Sequence, residues 1–385
     1  QSPYNGKKGY VNTSVPLYYL KWEKATTLNF GLDLGLLNNR VNFLVDYFIR
    51  DIYDKLADQR IPISTGFSSV KINNGTLQNR GIEIEANFKV INTDNIKWNI
   101  GANFTRIRSF VKKLPYNGND NNRIGGQEIW DPSNPTQTMY VGGRQEGERV
   151  GDDLVVGYQD EGVYHNQAEL EADKDRKIQF YAGTIPTANR KPIVGDTRWK
   201  DVNGDGIIDS RDRVVLGRTT PDFIGGFTTD FTYKNINLFV KTDYAVGHLI
   251  NNAVRTRGIS QVQGNMNWTS EIKDTWTPEN PNANIPRYDF TDPRGNHKAG
   301  GEGQYSASSR YWEKGDYLAL REITLSYNLP GAAVNNAFKD IRLFVSGTNL
   351  AYFTKYTGYS PEKGGWDSGR FPLPRSFTFG INATF

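Results

Sequence analysis

The sequence contains no cysteine, and only two of its 385 residues are methionine. The lack of cysteine fits a protein that does not rely on disulfide bonds. No apolar run approaches the ~20 residues that a membrane-spanning helix needs, so a helical membrane protein is excluded. A chain that crosses a membrane with strands is compatible with the low mean hydropathy of -0.62, because half of each strand would be polar.

The sequence also has little of what enzymes and nucleic-acid-binding proteins need. Its three histidines, His165, His248 and His297, are scattered. We find no Gly-x-Ser-x-Gly, His-Glu-x-x-His or phosphate-binding motif, and therefore predict that the chain is not an enzyme. The net charge of +4, from 46 basic and 42 acidic residues, gives no nucleic-acid signature, so no nucleic acid is expected as a partner.

No signal peptide opens the chain, since the first residues have neither a charged nor an apolar region. A secreted or outer-membrane protein is made with such a signal. We therefore expect the chain to be mature, processed or a fragment.

The sequence does contain stretches in which apolar and polar residues alternate, and the clearest is its last eleven residues, 375–385. Phe377, Phe379, Ile381, Ala383 and Phe385 would lie on one face of a strand, with polar residues and glycine on the other. We expect the terminal Phe385 to act as an assembly signal. In a closed barrel facing lipid, such a strand has a partner on both sides.

The same alternation recurs along the chain, and it predicts hairpins with short turns at Asn38-Asn39, 92–95 and Lys234-Asn235. Between hairpins we expect long polar connections, at about 51–79, 111–135, 159–221 and 249–312, and two further strands near 137–143 and 148–158. Short turns that alternate with long loops are typical of outer-membrane barrels. Counting back from a periplasmic C-terminus gives about eleven strands and places residues 1–24 outside the cell.

Two classes of all-β protein compete for this pattern. A transmembrane antiparallel β-barrel explains the long strands and long loops. A secreted β-sandwich would have shorter strands, with turn signals about every 8–12 residues. Loops as long as these are uncommon in a compact domain unless they have a function. We therefore favour the barrel, located in a bacterial outer membrane and in contact with its lipid.

Four stretches resemble one family in particular, the SusC/RagA-type TonB-dependent outer-membrane transporters of Bacteroidota. The resemblance covers most of residues 20–385, in the family's order. Its segments are Trp22-Glu23-Lys24 with Leu36-Leu37-Asn38-Asn39-Arg40, residues 199–217 with Pro221, residues 317–330, and residues 346–350 and 357–362 with the ending from Pro374.

The resemblance implies a barrel of about 22 strands closed by an N-terminal plug. Residues 25–385 would be about eleven C-terminal strands of it, without the plug. The implied partners are the plug-bearing N-terminal part of the transporter, a SusD-like surface lipoprotein that acts as a lid, and, indirectly, the TonB complex. The implied activity is the import of oligosaccharides or peptides.

One loop has the spacing of a calcium site. Its oxygens fall at positions 1, 3, 5, 7, 9 and 12 of a calcium-binding loop, with Gly206 at the sharp turn. The predicted ligands are Asp201, Asn203, Asp205, the Ile207 carbonyl, Asp209 through water, and Asp212. The alternative is an Asx-rich loop held without metal by side-chain-to-backbone hydrogen bonds. In both cases we expect a structural role.

Aromatic residues of the loops are the candidates for ligand contact, because exposed rings stack on sugars or bury peptide side chains. They are Trp130, Trp268, Trp276, Tyr305, Tyr311, Trp312 and Trp366. The alternative use of each is packing between loops or against a lid. Arg255, Arg257, Arg310 and Arg370 could bind anionic groups, although ion pairs with loop carboxylates are also expected of them. The rival function is a secreted, calcium-binding, glycan-active β-protein.

Overall fold

The structure, a computed structural model, describes residues 2–4, 7–9, 15–179, 190–260, 267–289, 292, 294–297, 307–330, 338–362 and 364–384. Its strands are β1 (Ser2–Tyr4), β2 (Lys7–Gly9), β3 (Lys24–Leu36), β4 (Val41–Arg60), β5 (Ser69–Asn92), β6 (Ile96–Lys113), β7 (Gln127–Asp131), β8 (Asn134–Val141), β9 (Leu154–Tyr158), β10 (Asp160–Val163), β11 (Lys177–Ile178), β12 (Thr197–Trp199), β13 (Ile207–Ile208), β14 (Arg213–Arg218), β15 (Phe223–Tyr233), β16 (Ile236–Val246), β17 (Leu249–Asn252), β18 (Trp312–Lys314), β19 (Tyr317–Pro330), β20 (Asp340–Thr354), β21 (Gly365–Asp367) and β22 (Ser376–Thr384). The α-helices are α1 (Gln167–Ala172) and α2 (Ala253–Ser260).

One antiparallel sheet dominates the described part of the chain. Its nine strands are ordered β22-β20-β19-β16-β15-β6-β5-β4-β3, so neighbours in the sheet are also neighbours along the chain once the loop strands are left out. This up-and-down order is that of a barrel wall. The short turns were predicted correctly: Asn38, Asn39 and Lys234 all have positive φ angles, of 54°, 58° and 52°.

The two faces of this sheet differ in chemistry, as the alternation predicts. The register places Ile84 opposite Phe104, Ala102 opposite Phe227 and Leu343 opposite Ile381, so apolar side chains share one face, called here the apolar face. Phe227 is 49% exposed and Leu325 47% exposed, although both lie on interior strands. An apolar surface this extensive requires a cover other than water, and lipid provides it.

The strand count differs from the expected number. The strands predicted near 137–143 and 148–158 do form, as β8 and β9, but they pair with β7 and β14 outside the main sheet. With eight and five residues, they are shorter than the ~9–11 residues a strand needs to cross a membrane. The main sheet of the described residues therefore has nine strands rather than about eleven. The two loops expected at 111–135 and 159–221 become one connection between β6 and β15.

The connection predicted at 51–79 is mostly strand. β4 and β5 continue as a paired hairpin as far as Arg60 and Ser69, with register shifts around Lys55. Outside the lipid, a strand can carry polar side chains on both faces and still form its backbone hydrogen bonds. The apolar-polar alternation therefore ends while the pairing of β4 with β5 continues. The prediction was wrong because it equated the end of the apolar pattern with the end of the strand.

The long connections at one end of the sheet fold together into a loop layer. Tyr158, Ile178, Trp199, Ile208 and Ala307 form one buried cluster within it, and Ile259, Ile285 and Tyr311 form another. No α-helix among the described residues is long and apolar enough to cross a bilayer. Tyr305 and Phe385, both named in the sequence analysis, lie outside the described residues.

Candidate functional site

The loop layer contains a cavity of about 830 Å³. It lies between two segments that are distant in sequence, the β16–β19 connection and the stretch after β20. The three-stranded sheet β18-β17-β21 joins these segments. The cavity is lined by Asn252, Val254, Arg255, Thr269, Glu271, Glu313, Lys314, Lys355, Thr357, Gly358 and Tyr359.

An arginine and two glutamates of the cavity lining interact with one another. Arg255 Nε donates to both carboxylate oxygens of Glu271, at 2.9 and 3.0 Å, and Arg255 Nη1 lies 3.9 Å from Glu313 Oε1. The hydrogen bonds from Arg255 to Glu271, with the negative charges of both glutamates, raise the pKa of the guanidinium. Glu313 in turn accepts from the Thr357 backbone N–H at 2.8 Å, which ties the two segments together.

Two lysines add charge that no acid in the described residues neutralises. Lys314 and Lys355 both line the cavity, and neither is ion-paired within that part of the chain. Tyr359 lies beside them and is 55% exposed, which makes it the aromatic residue of the lining. The cavity can therefore offer two free ammonium groups, one aromatic ring and several hydrogen-bonding side chains.

Asp367 fixes the shape of the loop that carries Tyr359. Its buried carboxylate accepts hydrogen bonds from Tyr356 Oη at 2.7 Å and from the backbone N–H groups of Gly369 at 3.0 Å and Tyr359 at 3.3 Å. Burial works to raise the pKa of Asp367, but these hydrogen bonds outweigh it and hold the pKa below its usual value. The loop is thereby ordered around an ionised carboxylate.

A second anchor joins this loop to the main sheet. Arg321 lies at a bulge in β19, where the register shifts between Leu320 and Glu322. Its guanidinium contacts Asp243 of β16, Tyr352 Oη at 3.0 Å and Glu362 of the loop at 2.5 Å. Because the bulge turns Arg321 onto the polar face, one cation bridges the wall and the loop.

The predicted aromatic residues have different environments. Tyr311 is fully buried, with its hydroxyl 3.0 Å from His297 Nδ1, so in this structure it packs between loops. Trp276 lies against Gly195, and Trp130 lies under the Arg211 guanidinium at 4.4 Å. Trp268 and Trp366 are the exposed ones, at 42% and 41%. Trp312 and Trp366 lie in one row of the small sheet, both opposite Asn251. None of the six aromatic candidates that the structure describes lines the cavity.

Two of the four loop arginines are committed to carboxylates. Arg255 pairs with Glu271, and Arg310 forms a buried ion pair with Asp160 across two connections. Burial raises the pKa of Asp160 even though Arg310 opposes the shift. Arg257 and Arg370 are exposed. The ion-pair alternative is therefore confirmed for Arg255 and Arg310.

The predicted calcium loop is held by its own hydrogen bonds. Asp201 accepts from the Gly204 and Gly206 N–H groups, both at 2.8 Å, and Asp205 accepts from Ile207 at 2.7 Å. Buried Asp212 accepts from Val202 and Asp209, and burial raises its pKa to about 6. In the described residues, no three His, Asp or Glu side chains converge on one metal position. These contacts are those of the metal-free alternative, and calcium binding, including the proposed roles of Asn203 and Asp209, stays a prediction.

A long-stranded sheet with an apolar face, topped at one end by folded loops around a cavity, defines the wall segment of an outer-membrane β-barrel. Comparison with known proteins agrees. Residues 3–144 match the family model described as TonB dependent receptor-like, beta-barrel. The chain belongs to the TonB-dependent receptors, which are outer-membrane proteins.

Its relatives include TonB-dependent receptor P3 of Formosa agariphila, 31% identical over 98% of this chain and 36% of the relative. TonB-dependent receptor SusC of Bacteroides thetaiotaomicron is 27% identical over 98% of this chain and 34% of the relative. The structure of the RagAB peptide transporter aligns with a TM-score of 0.66 and 22% identity, over 94% of this chain and 36% of that one. The chain spans about a third of the length of these relatives.

The cavity residues Lys314, Lys355, Thr357 and Tyr359 were not predicted from the sequence. They come from two loop segments about forty residues apart, and no short motif links them. The sequence feature that could have pointed to this loop is local. Tyr356 and Tyr359 precede Asp367 in a stretch with glycines at 358, 364, 365 and 369. That pattern indicates a structured loop but not the partner segment that completes the cavity.

Proposed function

We propose that this chain forms wall strands and outer loops of a nutrient importer driven through TonB. The observation that supports this most strongly is the charged cavity in the loop layer, whose Tyr359 loop is tied to the polar face of the main sheet through Arg321 and Glu362. A solute captured by these loops would be held directly above the surface that lines the path through a barrel. The polar face also carries Glu83 and Glu85, which suit a hydrated lumen.

The proposed substrates are oligosaccharides or peptides, and the lining favours peptides. Neutral sugars are bound mainly by exposed aromatic rings together with hydrogen bonds, and Tyr359 is the aromatic side chain of this lining. Lys314 and Lys355, with the acids Glu271 and Glu313, suit the charges of a peptide better. The RagAB peptide transporter has a similar fold, which is in line with the same choice.

The proposed partners follow from this role. A plug-bearing part of the transporter would be needed to couple the barrel to the TonB complex, and a SusD-like surface lipoprotein would cover the loop layer. We place the long loops outside the cell and the C-terminus of β22 in the periplasm, because outer-membrane barrels have their long loops outside. No catalytic step is part of this proposal.

Binding by the complete transporter tests the proposal. The protein would be purified in detergent and titrated by calorimetry with a mixture of short acidic peptides and, separately, with neutral oligosaccharides. We expect peptide binding, weakened at least tenfold when Lys314→Gln and Lys355→Gln are combined. Lys200→Gln removes an exposed lysine outside the cavity and serves as the matched control.

The possible outcomes test the binding site, the substrate class and the importer role separately. If the double variant binds peptides as tightly as the parent, the cavity is not the binding site. If oligosaccharides bind and peptides do not, the substrate class is wrong while the importer role stands. If neither class binds, with or without the lipoprotein, the importer role loses its main support.

A further inference from the structure

Three arginines lie together on the apolar face, just beyond the apolar belt. On β5 and β6 the register places Arg80 opposite Arg108 and Arg106 opposite Ile82. The next pair along the same face is Ile84 and Phe104, which belong to the belt. We call Arg80, Arg106 and Arg108 the arginine patch. It lies at the end of the sheet where β6 enters the long connection to β15.

The patch has no acidic partner within the described residues. Arg80, Arg106 and Arg108 form no ion pair there, and the Nε atoms of Arg106 and Arg108 are buried without a hydrogen-bond partner. Side chains directly opposite on neighbouring antiparallel strands have Cβ atoms about 4.5–5.5 Å apart, and like charges at that distance repel. The face therefore holds three closely spaced positive charges, none of which forms an ion pair within the described residues.

Within the described residues, the neighbouring acids form no direct ion pair with the patch. Asp51 accepts from Gln78 Nε2 at 2.8 Å, and Gln78 presents its oxygen to Arg80 Nε at 2.5 Å. Asp153 pairs with Arg149 and Arg218. Burial, with repulsion from Arg218 and Arg108, lowers the pKa of Arg149, so positive charge from the patch reaches even its paired neighbour.

The ring of Phe110 also fixes the orientation of the Arg80 side chain. Its guanidinium carbon lies 5.0 Å from the centre of the Phe110 ring, which shares its face. The Phe110 ring and the Gln78 side chain together hold the Arg80 side chain against the sheet. A planar guanidinium oriented in this way matches two oxygens of a phosphate at once.

We propose that the arginine patch binds the phosphate group of a lipid headgroup in the leaflet facing the long loops. Charge complementarity selects the phosphate, and the apolar belt directly below the patch receives the acyl chains. A soluble anion would gain the contact with the arginines but not the contact with the apolar belt. None of the three arginines lines the cavity, so the proposal holds regardless of what the barrel transports.

Native mass spectrometry of the complete, delipidated transporter tests the proposal. The probes are monophosphorylated lipid A, the same lipid A after enzymatic removal of its phosphate, and inorganic phosphate. We expect the phosphorylated lipid to bind the parent protein and to bind at least tenfold more weakly when Arg80, Arg106 and Arg108 are all changed to Gln. Arg342→Gln, which removes an arginine from the polar face of the same sheet, should bind like the parent.

Three results would overturn the proposal. They are equal binding by the triple variant, equal binding of the phosphate-free lipid, and displacement of the lipid by an equimolar amount of inorganic phosphate. Should the triple variant fail to assemble, Arg108→Gln alone decides the matter. It removes the central charge of the patch, and we expect a several-fold loss of lipid binding, whereas unchanged binding would contradict the assignment.

Discussion

At the scale of single residues, Arg321 joins the main sheet to the loop that carries the cavity residue Tyr359. Its side chain is 19% exposed, and it bridges carboxylates that are 32% and 28% exposed, Asp243 in the wall and Glu362 in the loop. Tyr317 Oη also lies 3.5 Å from Asp243. Removing the cation would leave two acids facing each other at the base of the loop that carries Tyr359.

Replacement of Arg321 by Gln should therefore loosen that loop. We expect a loss of about 1–3 kcal/mol, because partly buried carboxylates lose their partner. Hydrogen exchange of residues 355–362 and the melting temperature would measure it. Arg144→Gln breaks a far more exposed pair with Asp152 and should cost less than about 1 kcal/mol. Equal exchange in both variants would show that Arg321 does not anchor the loop.

The Asp201–Asp212 loop gives the second residue-scale prediction. If the loop binds calcium, titration of the purified protein should release or absorb heat and raise the melting temperature, and Asp201→Ala should abolish both effects. A matched substitution outside the loop, Asp173→Ala, should leave them intact. Absence of heat and of a melting shift in the parent protein would leave the hydrogen-bonded, metal-free loop as the correct account.

Residue-scale features differed in how far the sequence revealed them. The Asp201–Asp212 loop was visible because its spacing is local, and its Asx hydrogen bonds were foreseen as one of two alternatives. The burial of Tyr311 and the commitment of Trp276 to Gly195 could not be read from the sequence. They depend on which loops meet, and two connections of more than sixty residues each can meet in many ways.

At the scale of elements, alternation was the most reliable guide. It located the main-sheet strands, and a one-residue slip would have moved every apolar side chain to the other face. It failed to show that the β4–β5 hairpin continues toward the loops, where lipid no longer selects apolar residues. It also did not show that β8 and β9 pair outside the main sheet. Strand ends outside the membrane are set by pairing partners, which the sequence does not show.

The face assignment can be tested by charge substitution at the element scale. Ile84→Arg or Leu343→Arg places a cation on the apolar face, and near the middle of the membrane it should cost ~2–4 kcal/mol. Asn87→Arg lies on the polar face of β5, beside Glu85, and should be tolerated. The free energy of unfolding in lipid vesicles measures each variant. Equal tolerance of all three would show that the faces are assigned wrongly.

At the scale of the whole molecule, the all-β barrel class and the family followed from the sequence, while the strand total did not. Nine main-sheet strands in the described residues leave β3 and β22 as edges, each with an apolar row exposed: Phe30 is 59% and Phe379 78% exposed. Long exposed edges invite further pairing. Together with the span of about a third of its relatives, this supports a wall that other strands complete.

The measurement that tests the central claim most directly is the mass and composition of what co-purifies with this chain. The outer-membrane fraction would be extracted in detergent, purified through a tag on a loop of the natural protein, and analysed by intact mass spectrometry. The account predicts that the chain's sequence is found in a TonB-dependent barrel together with a plug and a surface lipoprotein. Recovery of the chain alone, soluble without detergent, would contradict it.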